Sequence, residues 1–436
     1  MSNNKESQTD FIPHKVIPAG CHTYSKGDDQ FPDNVPDVIV RGKGSHCWDS
    51  NGTEFIDWGM GLRSVILGHA FEPVLEAVRE QLILGSNFTR PSPMETLLAQ
   101  ELISIIPSAE MCKFAKNGSD VTTAATRLAR AYTGRKFIAR CSDNPFFSFD
   151  DWFIGTTSPN SGIPSEISEL TLQFNYNDIS SLEILFQKYP DQIACVIMEP
   201  VSTVPPNGSY LQDVKKVTHK NGAVLIFDEI ISGFRWHLGG AQAYFNVIPD
   251  LSTFGKAIAN GFSLSALVGK KEIMDLGGLH HPHKKVFLLS STNGAETHSL
   301  AAALATIKTI QSDQTIDRIW QMGKALQNRF NEMSQSLGML DYVKMEGYPC
   351  SPYLVTKDNN AQASMEYRTL FLQETISMQV LIPWIAISQS HDETDLNKTI
   401  DACTSALQLY KVALDTGDPL SMINGSIVKP VFREYN

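Results

Sequence analysis

Two hydrophobic rhythms alternate along the middle of the chain. One is the short run of consecutive apolar residues, such as Ile193–Met198 and residues 223–227, which has the length of a strand buried on both faces. The other is apolar residues returning every three or four positions, the mark of one helix face. Read in order, residues 113–115 end a strand before a helix over 119–132, and 137–140 and 193–198 are strands. Residues 211–219 are helical, Gly222 leads into the strand 223–227, and 264–268 is a further strand. Such alternation predicts a mostly parallel sheet with helices on both faces, an α/β fold.

On either side of this region the pattern changes. Residues 1 to about 40 are polar and turn-rich, with Pro13, Pro18, Pro32 and Pro36, and are expected to drape over the body as an extended arm. Residues 46–57 read as a hairpin turning at Ser50-Asn51-Gly52. The spacing predicts a helix over 72–85, with Val74, Leu75, Val78, Leu82 and Ile83 on one face, and another over 94–106 stopped by Pro107. Long helices follow over 296–312 and 315–336, and after Gly338 the chain shifts to short strands and one or two helices. The expected organisation is an arm and hairpin over 1–70 contributing to a small domain, a large domain over 71–312, and a small α+β domain over 313–436.

Composition narrows the class. A chain of 436 residues with 42% hydrophobic and 19% charged residues buries a sizeable core and is not disordered. Its net charge of −11 argues against nucleic acid as a partner. No apolar stretch approaches the roughly 18 residues of a membrane span. The N-terminal residues carry no apolar segment, so no secretory signal is expected and the protein is expected in the cytoplasm. Seven cysteines, at 21, 47, 112, 141, 195, 350 and 403, show no CxxC pair, so neither a disulfide framework nor a metal site is indicated.

Four local signals carry chemistry. Asp228 ends the strand 223–227, at the strand edge where ligands of open α/β sheets sit; a turn or helix cap is the ordinary role of such an aspartate. Lys256 stands among small and apolar residues between Gly255 and Gly261. A partly desolvated lysine has a lowered pKa and can form a Schiff base with a carbonyl. Asn117-Gly118-Ser119-Asp120 opens a helix whose first amides and dipole suit a phosphate. Hydroxyls cluster at Ser290, Ser291 and Thr292 before the helix 296–312. A carboxylate, a lysine about 30 residues later and a phosphate cradle are the parts a pyridoxal 5'-phosphate site needs.

With these residues in view the chain resembles the class III pyridoxal-phosphate aminotransferases, most closely the glutamate-1-semialdehyde 2,1-aminomutase branch. Asp228-Glu229-Ile230-Ile231-Ser232-Gly233-Phe234-Arg235 is similar to the family's DEVxxGFR, and residues 249–256 match its PDxxxxGK. Trp48-Asp49 to Asp57, Leu67-Gly68-His69 and the helix after Ser119 also match, so the likeness covers about residues 15–410. It implies fold type I: a large domain with a mostly parallel sheet of the seven-stranded type between helices, plus a smaller α+β domain. It implies that Lys256 holds the cofactor through a Schiff base and moves protons, and that Asp228 pairs with the ring nitrogen. Gly118 and Ser119 would bind the phosphate, and Thr292 would reach the phosphate of the other subunit in a homodimer with shared sites. Phe146 and Ile230 would lie on opposite faces of the ring, and Glu199 near the cofactor.

The departures from the resemblance bear on substrate. Lys26 stands where the aminomutase has a carboxylate-binding arginine, and lysine lacks the bidentate fork. A Ser-Trp-Gly stretch becomes Gly61-Leu62-Arg63, so the pocket loses an indole and gains a guanidinium; Arg63 is either a substrate-binding residue or one half of a structural salt bridge. The usual Tyr-His-Gly turn is Phe146-Phe147-Ser148, and an asparagine near the cofactor's 3′ oxygen has no counterpart unless Ser202 or Thr203 substitutes. Residues 382–391 carry no arginine. The expected activity is transfer of an amino group from an amino-acid donor to a carbonyl acceptor through the pyridoxamine form of the cofactor. The alternative is the aminomutase reaction, within one molecule. Intact Lys256, Asp228 and Gly118-Ser119 argue against a non-catalytic relative.

Overall fold

The computed structural model describes residues 13–435. Residues 1–12, which hold the start of the expected arm and the segment read for a secretory signal, lie outside the described residues. The rest of the arm is a string of short turns instead of an extended strand, and the C-terminal tail pins it. Gln30 donates to the Lys429 carbonyl at 2.9 Å, and Arg433 pairs with Asp29 at 2.6 Å.

The hairpin forms as strands β2 (His46–Asp49) and β3 (Glu54–Asp57), with β1 (Ile39–Lys43) antiparallel to β2. Seven strands then build the central sheet: β4 (Met111–Ala115), β5 (Phe137–Cys141), β6 (Thr171–Phe174), β7 (Ile193–Met198), β8 (Val224–Asp228), β9 (Leu251–Phe254) and β10 (Ser265–Gly269). Their order is β4-β10-β9-β8-β7-β5-β6. Only β10 runs against its neighbours; the other pairs are parallel. Strands β11 (Val343–Glu346) and β12 (Tyr353–Thr356) form a separate antiparallel pair, and β13 (Val380–Leu381) lies parallel to β3, closing the first sheet.

Both faces of the central sheet are covered, which explains its unbroken apolar runs. Cys195, Ile197, Val224 and Ile226 pack with Val121, Ala124 and Leu128 of the helix Gly118–Thr133. The intervening Val196, Met198, Leu225 and Phe227 pack with Leu182, Leu211 and Val214 of the helices Ile179–Lys188 and Tyr210–Lys220. This two-residue alternation is the pleat of the strand.

One expectation fails in detail. The helix Glu72–Leu84 buries Val74 and Val78, but Leu82 is 50% and Ile83 86% exposed. At 100° per residue Ile83 lies about half a turn round from Val74, so the two never shared a face. Strands β6, β9 and β13 were not expected. The sequence Leu-Ser-Thr-Phe of β9 reads as a polar loop, yet it is wholly buried because Ser252 and Thr253 find partners inside.

Candidate active site

The parallel strands deliver their carboxyl ends to one edge, and the chemistry collects there. Strand β7 hands on to Glu199, β8 ends in Asp228, and β9 is followed by Gly255 and Lys256. Beyond β4 the helix Gly118–Thr133 begins, so its N-terminus opens at the same edge. Asp228 continues the parity of Val224 and Ile226 and therefore faces the side this helix covers.

Asp228 is buried and held on one oxygen. Thr253 Oγ1 and the Ile230 amide each donate to Oδ1 at 3.0 Å, leaving Oδ2 without a protein donor among the described residues. Thr253 is its parallel register partner on β9. Burial pushes the Asp228 carboxyl up to about 6, against those two bonds and the Lys256 charge. The next residue, Glu229, is fully buried and accepts from Ser232 Oγ, from the Ala241 and Gln242 amides, and from Gln242 Nε2. It thus ties down the turn that follows Asp228.

Lys256 lies in a short turn, Lys256–Ala259, with φ +44. Burial lowers its ammonium, and the positive charge of Arg63 lowers it further, while Glu199 and Asp228 act the other way. Glu199 is buried across from it. Burial and the neighbouring Asp228 raise its carboxyl, and its own amide donates to Asn144 Oδ1 at 3.0 Å.

The start of the helix Gly118–Thr133 is packed against this group. A Cβ on Gly118 would meet Ile230 at 3.3 Å, and one on Gly255 would meet the same side chain at 3.0 Å. Ile230 therefore lies between the helix N-terminus and the lysine turn, in space that only glycines leave open. Asn117 and Asp120 close a capping box, and the first-turn amides of Gly118 and Ser119 have no intrahelical acceptor. Ser119 Oγ accepts from the Phe149 amide at 3.0 Å and Thr122 donates to the Phe147 carbonyl at 2.8 Å. These bonds hold residues 146–149 beside the turn. Phe146 is 46% exposed, edge-on to Phe153.

Arg63 reaches the group from the N-terminal segment. Met60, Gly61, Leu62 and Arg63 all have positive φ, from +44 to +71, a left-handed turn that costs about 1–2 kcal/mol per non-glycine residue. Asp57 Oδ1 accepts the Gly59 and Met60 amides ahead of the turn, and Asn260 clamps the chain behind it. Asn260 Oδ1 accepts from Ile66 and Leu67, both at 2.9 Å, and its Nδ2 donates to the Gly68 carbonyl at 3.1 Å. The Arg63 guanidinium makes no hydrogen bond or ion pair among the described residues, and its Nε is entirely buried. Arg235, wholly buried, donates to the Cys350, Ile387 and Arg63 carbonyls and likewise has no carboxylate partner among the described residues.

The structure thus gathers Gly118, Ser119, Ile230, Asp228, Glu199, Lys256 and Arg63. It leaves Lys26 exposed on the turn Tyr24–Lys26, with no side-chain bond to the group. Thr292 is exposed in the loop before the helix Thr297–Ser312, and its carbonyl accepts from Asn87 at 3.0 Å. Ser202 and Thr203 line a cavity of about 130 Å³ with Asp143, Asn144, Tyr176, Asn177 and Val204. Thr253, Asn144, Glu229 and Asn260 were not singled out from the sequence. Thr253 was legible only through strand pairing, since nothing in a threonine three residues before a lysine announces a bond to Asp228.

The arrangement fits pyridoxal phosphate: a depressed lysine, a carboxylate with one oxygen free, and a glycine-lined helix start. A model of the family described as aminotransferase class-III matches residues 29–382. The 3-aminobutyryl-CoA aminotransferase of Cloacimonas acidaminovorans is 33% identical over 412 residues, spanning 92% of this chain and 96% of that protein. A glutamate-1-semialdehyde 2,1-aminomutase of Methanosphaera stadtmanae is 33% identical over 400 residues, 86% of this chain and 93% of its own. The solved omega-transaminase of Sphaerobacter thermophilus superposes with a TM-score of 0.81 at 25% identity, covering 92% and 98% of the two chains. The FumI protein of Sphingopyxis sp. MTA144, solved with PLP, shares the fold at a TM-score of 0.84 and 24% identity, covering 94% and 98%.

Proposed function

Because this chain belongs to the class-III aminotransferase family of pyridoxal-phosphate enzymes, we propose that it moves an amino group from an amino-acid donor to a separate carbonyl acceptor. The observation that carries this reading is the meeting of Lys256, Asp228 and the helix start at Gly118 on one strand edge. The cofactor, when bound, supplies the electron-withdrawing ring; the chain supplies everything that places and protonates it.

In this reading Lys256 holds the cofactor, and its depressed ammonium makes the neutral amine available both as nucleophile and as proton carrier. The free oxygen of Asp228 takes the ring nitrogen, and Thr253 fixes the carboxylate's orientation. The amides of Gly118 and Ser119 and the Ser119 hydroxyl bind the phosphate. Ile230 would support one face of the ring and Phe146 the other, with Glu199 near the cofactor. Lys26 and Arg63 are the candidate substrate cations.

The working unit in this proposal is a homodimer in the cytoplasm, with Thr292 completing the partner's phosphate site. Leu82, Ile83, Leu84 and Phe88 are exposed, and Asn87 within this stretch bonds Thr292. An apolar patch continuous with Thr292 is what a subunit interface would cover.

The second reading is the aminomutase reaction. It is favoured by relatives bearing that name, 30–34% identical, and by the lack of an arginine in residues 382–391. The absorbance of the purified holoenzyme with and without L-glutamate separates the two. Conversion of the cofactor to its amine form with release of 2-oxoglutarate supports transfer from an external donor. If glutamate and other amino acids leave the spectrum unchanged while 4,5-diaminovalerate converts it, the aminomutase reading replaces the first.

A further inference from the structure

A buried cation needs a counter-charge or a full set of acceptors, because desolvation is otherwise uncompensated. The Arg63 side chain is half-buried, and the opposite charge that acts on it, Glu199, lies beyond ion-pair distance. Among the described residues its guanidinium donates no hydrogen bond, its Nε is shut away from water, and no carboxylate pairs with it. The neighbouring cation, Arg235, does not depend on a ligand in the same way: its two Nη atoms are spent on the carbonyls of Cys350, Ile387 and Arg63 itself. Arg235 thus donates to the Arg63 backbone and keeps only its Nε unpartnered, whereas none of the Arg63 guanidinium nitrogens has a hydrogen-bond partner among the described residues.

Backbone conformation points the same way. Four consecutive left-handed residues are held between the Asp57 carboxylate and the Asn260 clamp, and the clamp belongs to the segment that follows the Lys256 turn. The strained turn is therefore registered directly to the lysine. Strain of this kind persists where the surrounding structure over-determines it, and it collects at ligand-binding positions. The charge of Arg63 is felt by both Lys256 and Glu199, which puts it inside the same site. Lys26, the other candidate, is exposed and tied to neither.

We propose that Arg63 is the anion receptor of the substrate pocket: the amino donor or acceptor carries a carboxylate or a phosphoryl group that seats on the Arg63 fork, with Arg235 as the positioning residue behind it. The proposal rests on the aminotransferase reading above for the word substrate, but the binding step itself does not need turnover. A guanidinium offers two parallel donors to either anion, so the shared chemistry is a planar or tetrahedral oxyanion.

The test is calorimetric titration of the holoenzyme with glutarate, inorganic phosphate and the uncharged glutaramide. The wild-type protein is expected to bind one of the anions at least roughly 10-fold more tightly than glutaramide. Arg63→Gln should weaken that anion by roughly 10- to 100-fold, and Arg63→Lys should fall between, since it keeps the charge without the fork. Preference for glutarate identifies a carboxylate substrate, preference for phosphate a phosphorylated one. Equal binding of anions and glutaramide by the wild-type protein overturns the proposal without reference to any variant. So does an Arg63→Gln protein, loaded with cofactor and unfolding at the wild-type temperature, that binds the anion as before. Failure of the aminotransferase reading looks different: no amino donor converts the cofactor of the wild-type enzyme, whatever the titration gives.

Discussion

Replacing Asn260 by Ala removes three buried hydrogen bonds at once. The amides of Ile66 and Leu67 lose their acceptor and the Gly68 carbonyl loses its donor, all inside the protein. A buried group left without a partner costs about 1–3 kcal/mol. The three together, allowing for partial relaxation, cost about 3–6 kcal/mol. Asn260 also has φ +45, a region asparagine tolerates better than alanine, which adds up to about 1 kcal/mol. The loss is local before it is global, because the bonds hold one segment to the turn after Lys256. Hydrogen exchange followed by mass spectrometry reads it directly. Lowering the cost of opening residues 64–68 by about 2–3 kcal/mol should speed exchange at Ile66 and Leu67 roughly 30- to 150-fold. Asn260→Asp keeps the shared acceptor and should retain most of that protection. Unchanged exchange in the Ala variant would refute the clamp, and with it the argument that the Arg63 turn is registered to the lysine.

Three further outcomes are expected. Lys256→Ala should abolish turnover with the fold intact, and wild-type apoprotein should capture pyridoxal phosphate with a pH midpoint well below the ordinary lysine value of about 10.4; retained activity, or a midpoint near 10, counts against the lysine assignment. Asp228→Asn should slow catalysis severely yet stabilise the cofactor-free protein. The carboxyl's rise to about 6 is a penalty on the ionised folded form, fully present above that pH and lost as pH falls through about 3.9, so the gain should reach up to about 3 kcal/mol at pH 8 and vanish by about pH 3 in unfolding experiments. A gain that grows on acidification would reverse the sign of the argument. Gly323→Ala should destabilise by about 3 kcal/mol or more in thermal melts, since its Cβ would fall 1.7 Å from the Pro349 carbonyl oxygen and 2.5 Å from Ile387 Cδ1; a wild-type melting temperature would show that the Pro349 loop yields freely.

Much of this architecture is legible in the pattern of apolar residues. The strands β7 and β8 are uninterrupted apolar runs because both their faces are covered, and the helix from Gly118 announces itself by its cap. The residues proposed to hold the cofactor are legible because they sit in motifs, with Lys256 and Asp228 as their centres. What escaped notice depends on pairing across the chain. Strand β9 hides behind Ser252 and Thr253, whose hydroxyls look solvent-seeking until Gln242 and Asp228 are brought opposite them. The left-handed turn at 60–63 contains one glycine in four and no turn signature, so its conformation is imposed by Asp57 and Asn260 instead of by local preference. Leu82 and Ile83 stay in solvent because a helix buries one stripe and not every apolar residue it carries.

The parallel pairing of β13 with β3 sets an order in time. Ile56 and Asp57 meet Val380 and Leu381, so this sheet cannot close until about 320 further residues have left the ribosome. At about 5–20 residues per second the N-terminal hairpin waits roughly 15–65 s for its last strand. Throughout that interval Cys47 and Phe55, buried in the finished protein against Ile376 and Leu381, have only Val35 of this cluster beside them. The nascent chain therefore carries a sticky, half-built edge at its beginning for almost the whole of its synthesis.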